Sequence, residues 1–354
     1  MERIVLKIGS SSLTTPNGEL DDQKLQEVVT FIAKARDHAD IILVTSGAVA
    51  AGFKQVGYQT RPVTVHGKQA AAAVGQTLLM ERYHTHFKAY DMTAAQLLVS
   101  RSDLYREEQY KNVYATITEL IKRHVIPIIN ENDSTAIEEL TFGDNDRLAA
   151  LVGGMVHATH VILFTDTDGV YSANPQTNPD AKKYDTITEI TDDLFAQAEE
   201  TTTKVGTGGM RAKLSAATLA HQFGVTAYIS TLKAETSLLS IIKGDGKGTY
   251  LPSPTTGVMK TSKQWIAVHS KHAGELFIDN GAKEAMIERK KSLLAVGIDH
   301  IKGTFSRDDV VTVYSLDGEL LGKGKTQVSS EDLTALSSKE NQVIIHRDQW
   351  ITYS

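Results

Sequence analysis

Short apolar runs alternate with a longer amphipathic segment at the start of the chain, and this alternation restricts the fold more than any other feature. Residues 4–8 (IVLKI) and 41–44 (IILV) are the apolar runs, and a loop of small residues follows each of them. Residues 20–39 lie between the runs and carry apolar side chains at helical spacing. Strand, small-residue loop, helix and strand in this order predict a βαβ unit and therefore a parallel sheet.

The same alternation continues as far as residue 230, and the residue composition and hydrophobic pattern then change. Further helices are predicted at residues 65–83, 110–124, 149–157 and 211–223, and further strands at 92–98, 125–129, 160–165 and 225–230. Residues 243–263 are rich in Gly, Pro, Ser and Thr, and short β-like segments follow them. We therefore expect an α/β domain at residues 1–257, a linker at 258–271 and a small, mainly β domain at 272–354.

Composition restricts the compartment and the partners. The 354 residues include no cysteine, which excludes disulfides and thiolate zinc sites and is typical of a reducing compartment. The apolar run at the N-terminus is too short for a signal peptide, and no segment approaches the roughly 18 consecutive apolar residues of a membrane helix. We therefore expect a cytoplasmic protein with no membrane partner.

The charge distribution argues against nucleic acid as the main partner. The formal net charge is −6, and residues 258–354 carry 13 Lys and Arg against 13 Asp and Glu. The tail therefore lacks the basic footprint that strong nucleic-acid binding requires.

Two polar clusters follow the predicted strand at residues 125–129. Asn130-Glu-Asn-Asp133 follows the strand directly, and Gly143-Asp-Asn-Asp146 comes ten residues later. Open α/β sheets bind ligands at the carboxyl ends of their strands, so these clusters are candidates for holding a small polar molecule or a cation. Asn, Asp and Gly are also ordinary turn residues, and two solvated turns would explain the same residues.

Three loops of small residues are predicted, and two of the motifs to which they belong contain a lysine. Lys7 lies in the first strand before Gly9, Ser46-Gly47 follows the second strand, and Gly206-Thr-Gly-Gly-Met-Arg-Ala-Lys213 opens a predicted helix. A helix N-terminus favours an anion, and two lysines directed to one place would stabilise charge during phosphoryl transfer. The chain lacks both the GxxxxGK[ST] loop and the catalytic-loop signature of protein kinases.

Taken in this order, the loops resemble the amino acid kinase family, and they resemble most the members that phosphorylate the side-chain carboxylate of L-glutamate. The motifs that carry this resemblance are Lys7-Ile-Gly-Ser, Val44-Thr-Ser-Gly-Ala48, Asn130-Glu-Asn-Asp133, Gly143-Asp-Asn-Asp146, Thr165-Asp166 and Thr207-Gly-Gly-Met210 with Lys213. The tail resembles a PUA domain. The resemblance implies a three-layer αβα sandwich with a mainly parallel sheet, followed by a small, mainly β PUA-like domain.

The resemblance also implies a role for each matching residue. Ser46, Asp133 and Asn145 are expected to bind glutamate, and Lys7, Lys213 and Asp146 to be catalytic. The residues expected to bind ATP are Lys7, Gly9, Thr165, Asp166, Thr207, Gly208, Gly209, Met210, Arg211, Ala212 and Lys213. Arg211 and Ala212 separate the TGGM motif from Lys213, at positions that we expect to vary in the family.

Several partners follow from the same resemblance. Mg²⁺ is expected to accompany ATP without a protein ligand, although Asp166 and Asp168 are near enough in sequence to be considered. Proline is expected as a feedback inhibitor, glutamyl phosphate reductase as a pathway partner, and a homo-oligomer as the assembly. An acetylglutamate or aspartate kinase, and a regulatory protein that binds RNA through its PUA-like tail, stay open as alternatives.

Overall fold

The computed structural model describes residues 1–135, 145–200, 209–233, 236–253, 261–268, 273–335 and 341–352. The chain divides into two compact units, Met1–Val258 and Met259–Ser354. Among the described residues, every helix is too short or too polar to cross a membrane.

The first unit is built on a seven-stranded sheet. The strands of the first unit are β1 (Glu2–Ile8), β2 (Ala39–Thr45), β3 (Ala94–Val99), β4 (Ile126–Glu131), β5 (His160–Phe164), β6 (Val170–Tyr171), β7 (Lys183–Tyr184), β8 (Thr226–Ser230) and β9 (Thr249–Leu251). Strands β6 and β7 form a separate two-stranded sheet, and the other seven form the large sheet. The strand order is β3-β4-β2-β1-β5-β8-β9, and all neighbours are parallel except β8 and β9. Strand β1 therefore lies at the centre, as its apolar sequence predicts.

Helices cover both faces of this sheet. They are α1 (Asp22–Ala35), α2 (Ala48–Gly52), α3 (Val65–Lys88), α4 (Arg101–Tyr105), α5 (Glu107–Lys122), α6 (Asn145–Met155), α7 (Asp192–Glu200), α8 (Met210–Gln222) and α9 (Leu238–Ile242). Ile4, Leu6 and Ile8 pack on one face against α1 and α3. Successive side chains of a strand point to opposite faces, so Lys7 is directed to the other face, where α6 contacts β1 and β5. This is the predicted three-layer αβα sandwich.

The parallel strands end at one edge of the sheet, and this edge collects the polar loops. Strands β4, β2, β1 and β5 are consecutive neighbours, and their carboxyl ends lead into Asn132, Ser46, Gly9 and Thr165. Residues that are far apart in sequence are therefore brought to one edge, which is where ligands bind in sheets of this type.

The second unit contains a six-stranded sheet with the order β11-β15-β14-β13-β10-β12. Its elements are α10 (Thr261–Val268), β10 (Gly274–Ile278), α11 (Asn280–Ile287), β11 (Leu293–Leu294), β12 (Ile298–Gly303), β13 (Val310–Ser315), β14 (Leu320–Thr326), α12 (Ser330–Ala335) and β15 (Val343–Thr352). A core that includes Leu276, Val313, Ile344 and Trp350 lies against the sheet. The mainly β tail expected from the sequence is thus present.

Helix α10 lies inside the segment 258–271, which the sequence predicts as a linker. Its Trp265 and Ile266 are buried, and the helix contacts β15 of the same unit. Apolar burial therefore orders a helix that begins at the end of the Gly-, Pro-, Ser- and Thr-rich residues 243–263. The limits of the two domains at residues 257 and 272 stay a prediction.

Candidate functional site

Two lysines converge on one buried carboxylate at the carboxyl edge of the large sheet. Lys7 Nζ lies 2.5 Å from Asp146 Oδ1, and Lys213 Nζ lies 3.1 Å from Asp146 Oδ2. Asp146 is fully buried, and each lysine is 5% exposed. One carboxylate between two ammonium groups leaves a net positive charge, which suits an anionic ligand.

Three different elements bring these side chains together. Lys7 projects from the central strand, Asp146 lies in the first turn of α6, and Lys213 lies in the first turn of α8. Helices α6 and α8 pack closely because α6 carries glycine where they meet: a Cβ on Gly154 would lie 2.3 Å from the ring of Phe223, at the end of α8. The close packing holds the first turns of the two helices near β1.

The lysines decide the protonation of Asp146. Burial acts to raise the pKa of this carboxyl, but the ammonium groups of Lys7 and Lys213 outweigh burial and hold the pKa below its ordinary value. Asp146 is therefore ionised at neutral pH, and it fixes the positions of the lysines by an ion pair with Lys7 and a charge-assisted hydrogen bond from Lys213.

Asn145 precedes Asp146 and holds a second cluster, which consists of amide and hydroxyl groups. Its Nδ2 donates to the backbone oxygen of Thr45 at 2.8 Å, to Ser46 Oγ at 2.9 Å and to Asn130 Oδ1 at 3.0 Å. Asn130 Nδ2 in turn donates to Gln76 Oε1 at 2.8 Å. Since Asn145 and Asp146 are adjacent, the amide cluster and the lysine pair belong to one site.

The turn after β2 presents Ser46 to this cluster. Ser46 N donates to the backbone oxygen of Ile8 at 3.2 Å, which ties the turn to the end of β1. Gly47 has φ of 108°, a left-handed conformation that favours glycine, and it caps the N-terminus of α2. A side chain at position 47 would strain the turn that places Ser46.

Asp133 lies just beyond β4, three residues after Asn130. Removal from solvent raises the pKa of its carboxyl from 3.8 to about 6. A desolvated carboxylate is stabilised by a cation more strongly than an exposed one, so Asp133 is well suited to an ammonium ligand.

The groups predicted to bind nucleotide follow the neighbouring strands. Thr165 follows β5, and its Oγ1 donates to Asp166 Oδ1 at 3.0 Å. A Cβ on Gly9 would lie 3.3 Å from Lys7 Nζ, so glycine keeps this approach to the lysine open. Gly209 is the N-cap of α8, whose first turn contains Met210, Arg211, Ala212 and Lys213. Thr207 and Gly208 lie outside the described residues.

Three members of the amide cluster, Thr45, Gln76 and Asn130, have no role predicted from the sequence. Thr45 and Asn130 lie in motifs that the sequence singles out, whereas Gln76 does not. Gln76 is an isolated amide in an Ala-rich helix, and an uncompensated polar residue on the buried face of such a helix is the signal that indicates it. The structure also places Asn145 and Asp146 inside α6, although the helix was predicted to begin at residue 149. Asp is favourable in a first turn because of the helix dipole, so polarity did not mark the helix boundary.

Known proteins with similar sequences agree over nearly the whole chain. Glutamate 5-kinase of Geobacillus thermodenitrificans (strain NG80-2) is 48% identical over 364 residues, covering 99% of this chain and 97% of that enzyme. Glutamate 5-kinase 1 of Bacillus subtilis (strain 168) is 48% identical over 360 residues, covering 99% and 98%. Carbamate kinase from Giardia lamblia bound to AMP-PNP has a similar fold, with a TM-score of 0.50 at 13% identity over 71% of this chain and 98% of that chain.

Family sequence profiles assign the two units separately. The PUA domain profile matches residues 274–347, and the amino acid kinase family profile matches residues 2–230. Because the latter spans more than half of the chain and the glutamate 5-kinases align with almost all of it, the chain belongs to the amino acid kinase family.

Proposed function

We propose that this protein transfers the γ-phosphoryl group of ATP to the side-chain carboxylate of L-glutamate, giving L-glutamyl 5-phosphate and ADP. This reaction is the first step of proline biosynthesis. The observation that carries the proposal is the convergence of Lys7 and Lys213 on Asp146, next to the amide cluster around Asn145. The names of the relatives, at 48% identity, support glutamate as the acceptor.

The chemistry requires charge stabilisation more than proton transfer. A glutamate side chain has a free pKa of about 4.3, so it is already an anion at neutral pH and needs no general base. One of its oxygens forms a bond to the γ-phosphorus while the bond from that phosphorus to the bridging oxygen of ADP breaks. The obstacle is repulsion between two anions, and Lys7 and Lys213 reduce it at the transferring group.

Each remaining residue binds one end of a substrate. Ser46, Asn145 and Asp133 hold glutamate, with the carboxylate of Asp133 next to its α-ammonium group. Thr165, Asp166 and the segment that leads into α8 hold ATP, and the first-turn N–H groups of α8 favour its phosphates. Thr207 and Gly208 belong to this proposed ATP site by the resemblance of their motif.

Mg²⁺ enters as part of the nucleotide substrate. Three of the described carboxylates near the site already have partners: both oxygens of Asp146 contact lysines, Asp166 accepts a hydrogen bond from Thr165, and Asp168 accepts one from Tyr171 and lies 3.6 Å from Lys183. We therefore infer that phosphate oxygens and water supply the ligands of the ion.

An acceptor assay tests the proposal. Release of ADP is measured with MgATP and, in turn, L-glutamate, L-aspartate and N-acetyl-L-glutamate. We expect turnover with L-glutamate and at least about tenfold lower kcat/KM with the other two, because aspartate is one methylene shorter and acetylglutamate lacks the ammonium group that Asp133 binds. A preference for either alternative acceptor would overturn the assignment of glutamate.

The raised pKa of Asp133 predicts a pH dependence for glutamate binding. As the pH falls through about 6, Asp133 becomes neutral and loses its attraction for the α-ammonium group, so kcat/KM for glutamate decreases. Glutamate itself does not change charge between about pH 5 and 7. Steady-state kinetics over this range measure the effect.

The variant Asp133→Asn isolates the contribution of this carboxylate. It is expected to raise the KM for glutamate roughly 10- to 50-fold, with a small effect on kcat, and to remove the fall in kcat/KM near pH 6. The KM for ATP serves as the internal control and is expected to stay near its wild-type value. An unchanged KM for glutamate would remove Asp133 from the ammonium site.

The same site suggests the regulator and the partner. Proline carries an α-ammonium and an α-carboxylate group, so we infer that it competes with glutamate, and adding proline to the acceptor assay tests this. Acyl phosphates are labile in water, which makes glutamyl phosphate reductase the fitting consumer of the product. We also propose that the protein is a homo-oligomer assembled through the kinase unit.

A further inference from the structure

Three buried amides form a row whose polarity is set by backbone groups. The backbone oxygen of Thr45 can only accept, so the atom of Asn145 that contacts it at 2.8 Å is the donor Nδ2. The backbone N–H of Glu131 can only donate, so its partner in Asn130, at 2.9 Å, is the acceptor Oδ1. The other end of Asn130 is therefore Nδ2, and it donates to Gln76 Oε1 at 2.8 Å.

This polarity leaves one unused acceptor and one unused donor. Within the part of the chain that the structure describes, Asn145 Oδ1 and Gln76 Nε2 are buried and lack a hydrogen-bond partner. Asn145 is 9% exposed and Gln76 is 8% exposed. A buried polar atom that stays unpaired costs about 1–3 kcal/mol, so their presence beside a substrate site indicates that a ligand completes them.

Helix α3 cannot shift to let Gln76 withdraw. A Cβ on Gly75, next to Gln76, would lie 1.8 Å from the backbone oxygen of Ala48, and a Cβ on Gly52 would lie 2.1 Å from that of Ala71. The backbones of α2 and α3 are therefore in direct contact. Because α2 begins just after Ser46 and Gly47, this contact fixes the position of Gln76 relative to Ser46 and the proposed acceptor site.

We propose that Gln76 is a positioning residue that determines the specificity for the acceptor. Its Oε1 accepts from Asn130 Nδ2 and holds Asn130 in the orientation that the backbone N–H of Glu131 selects, with Oδ1 towards Asn145. Asn145, whose Nδ2 is used by Thr45 and Asn130, then presents its own carbonyl oxygen to the α-ammonium group of the amino acid. Without Gln76, Asn130 Nδ2 loses its buried acceptor, and Asn130 and Asn145 are held less firmly in these orientations. The inference rests on the proposed function, since it assumes an amino acid as the acceptor.

The test is a double-mutant cycle between Gln76→Leu and Asn145→Ala. Gln76→Leu is expected to raise the KM for glutamate about tenfold, with the KM for ATP unchanged, as for one buried hydrogen bond left unmade. In the Asn145→Ala background, Gln76→Leu is expected to raise the KM for glutamate by less than about twofold, because Gln76 acts through Asn145. Gln96→Leu, which replaces an exposed glutamine of β3, is the matched control and is expected to leave both KM values unchanged.

A second readout separates positioning from a general loss of structure. Glutarate lacks the α-ammonium group, so Gln76→Leu is expected to lower the ratio of kcat/KM for glutamate over glutarate about tenfold. An unchanged ratio, or fully multiplicative effects in the cycle, would overturn the proposal. These outcomes are measured relative to wild-type turnover of glutamate. Failure of the wild type to phosphorylate glutamate would therefore refute the proposed function, and not the role of Gln76 separately.

Discussion

Replacing Lys213 by alanine is expected to lower kcat about 10²- to 10³-fold while the KM for glutamate changes little. The ammonium group lies 3.1 Å from Asp146 Oδ2 and is almost fully buried, so its charge acts in a site with little water. Charge that develops on the transferring phosphoryl group is stabilised in the transition state more than in the ground state, and loss of one such donor has an effect of this size.

Arginine at the same position is the matched variant. Lys213→Arg keeps the charge but replaces a compact ammonium group by a planar guanidinium, so only a small part of kcat is expected to return. Single-turnover measurements separate the chemical step from product release. If Lys213→Ala has a normal kcat and only a raised KM for glutamate, the residue serves binding and the assigned role is wrong.

Asp146→Asn is expected to destabilise the first unit by about 3–5 kcal/mol, because it leaves two buried ammonium groups without a counter-charge. The substitution keeps the size of the side chain, so loss of packing does not contribute. Chemical unfolding followed by far-UV circular dichroism measures the change. Both tryptophans, Trp265 and Trp350, belong to the second unit, so their fluorescence reports separately on a transition that is expected not to move.

The pH dependence gives the sign of the ion-pair contribution. The pKa of Asp146 is lowered in the folded protein, so its ion pairs stabilise the fold fully above the ordinary value of 3.8 and lose this effect as the pH falls through the lower folded pKa. The difference in stability between wild type and Asp146→Asn is therefore largest above about pH 4. Glu119→Gln, in an exposed pair with Arg123 on α5, is the control and is expected to cost at most about 0.5 kcal/mol. An Asp146→Asn variant no less stable than this control would contradict the assigned role of the carboxylate.

Local pattern was enough to predict the six parallel strands of the large sheet, but not the antiparallel edge strand β9. The run IVLKI and the apolar segments that follow it became parallel strands, and the small-residue loops after them lie at one edge. In the tail, the sequence predicts β-like segments at residues 274–278, 294–297, 310–314 and 343–346, which do not include β12 and β14. Strand β14 (LLGKGKT) contains two glycines and two lysines, and its pairing with β13 and β15 outweighs its low strand propensity.

The sequence indicates candidate residues of the site but not which of their atoms meet. Lys7, Asp146 and Lys213 belong to motifs that resemble the amino acid kinase family, and their roles in phosphoryl transfer stay a prediction from that resemblance. That both lysines contact the same carboxylate follows from the packing of α6 and α8 near β1. The role of Gln76 likewise depends on Asn130, 54 positions away in the chain.

Periodicity and turn chemistry depend on residues a few positions apart, so the amino-acid order was sufficient for the parallel strands, their helices and the polar loops at their ends. The direction of each amide and the pairing of each charge depend on groups that are far apart in the chain, 100 positions for Asn145 and the backbone oxygen of Thr45 and more for Lys7 and Asp146. Such pairs form only when the strands adopt their order in the sheet and the helices pack against one another at their glycines. Folding therefore decides which polar atoms are paired and which stay open to a substrate.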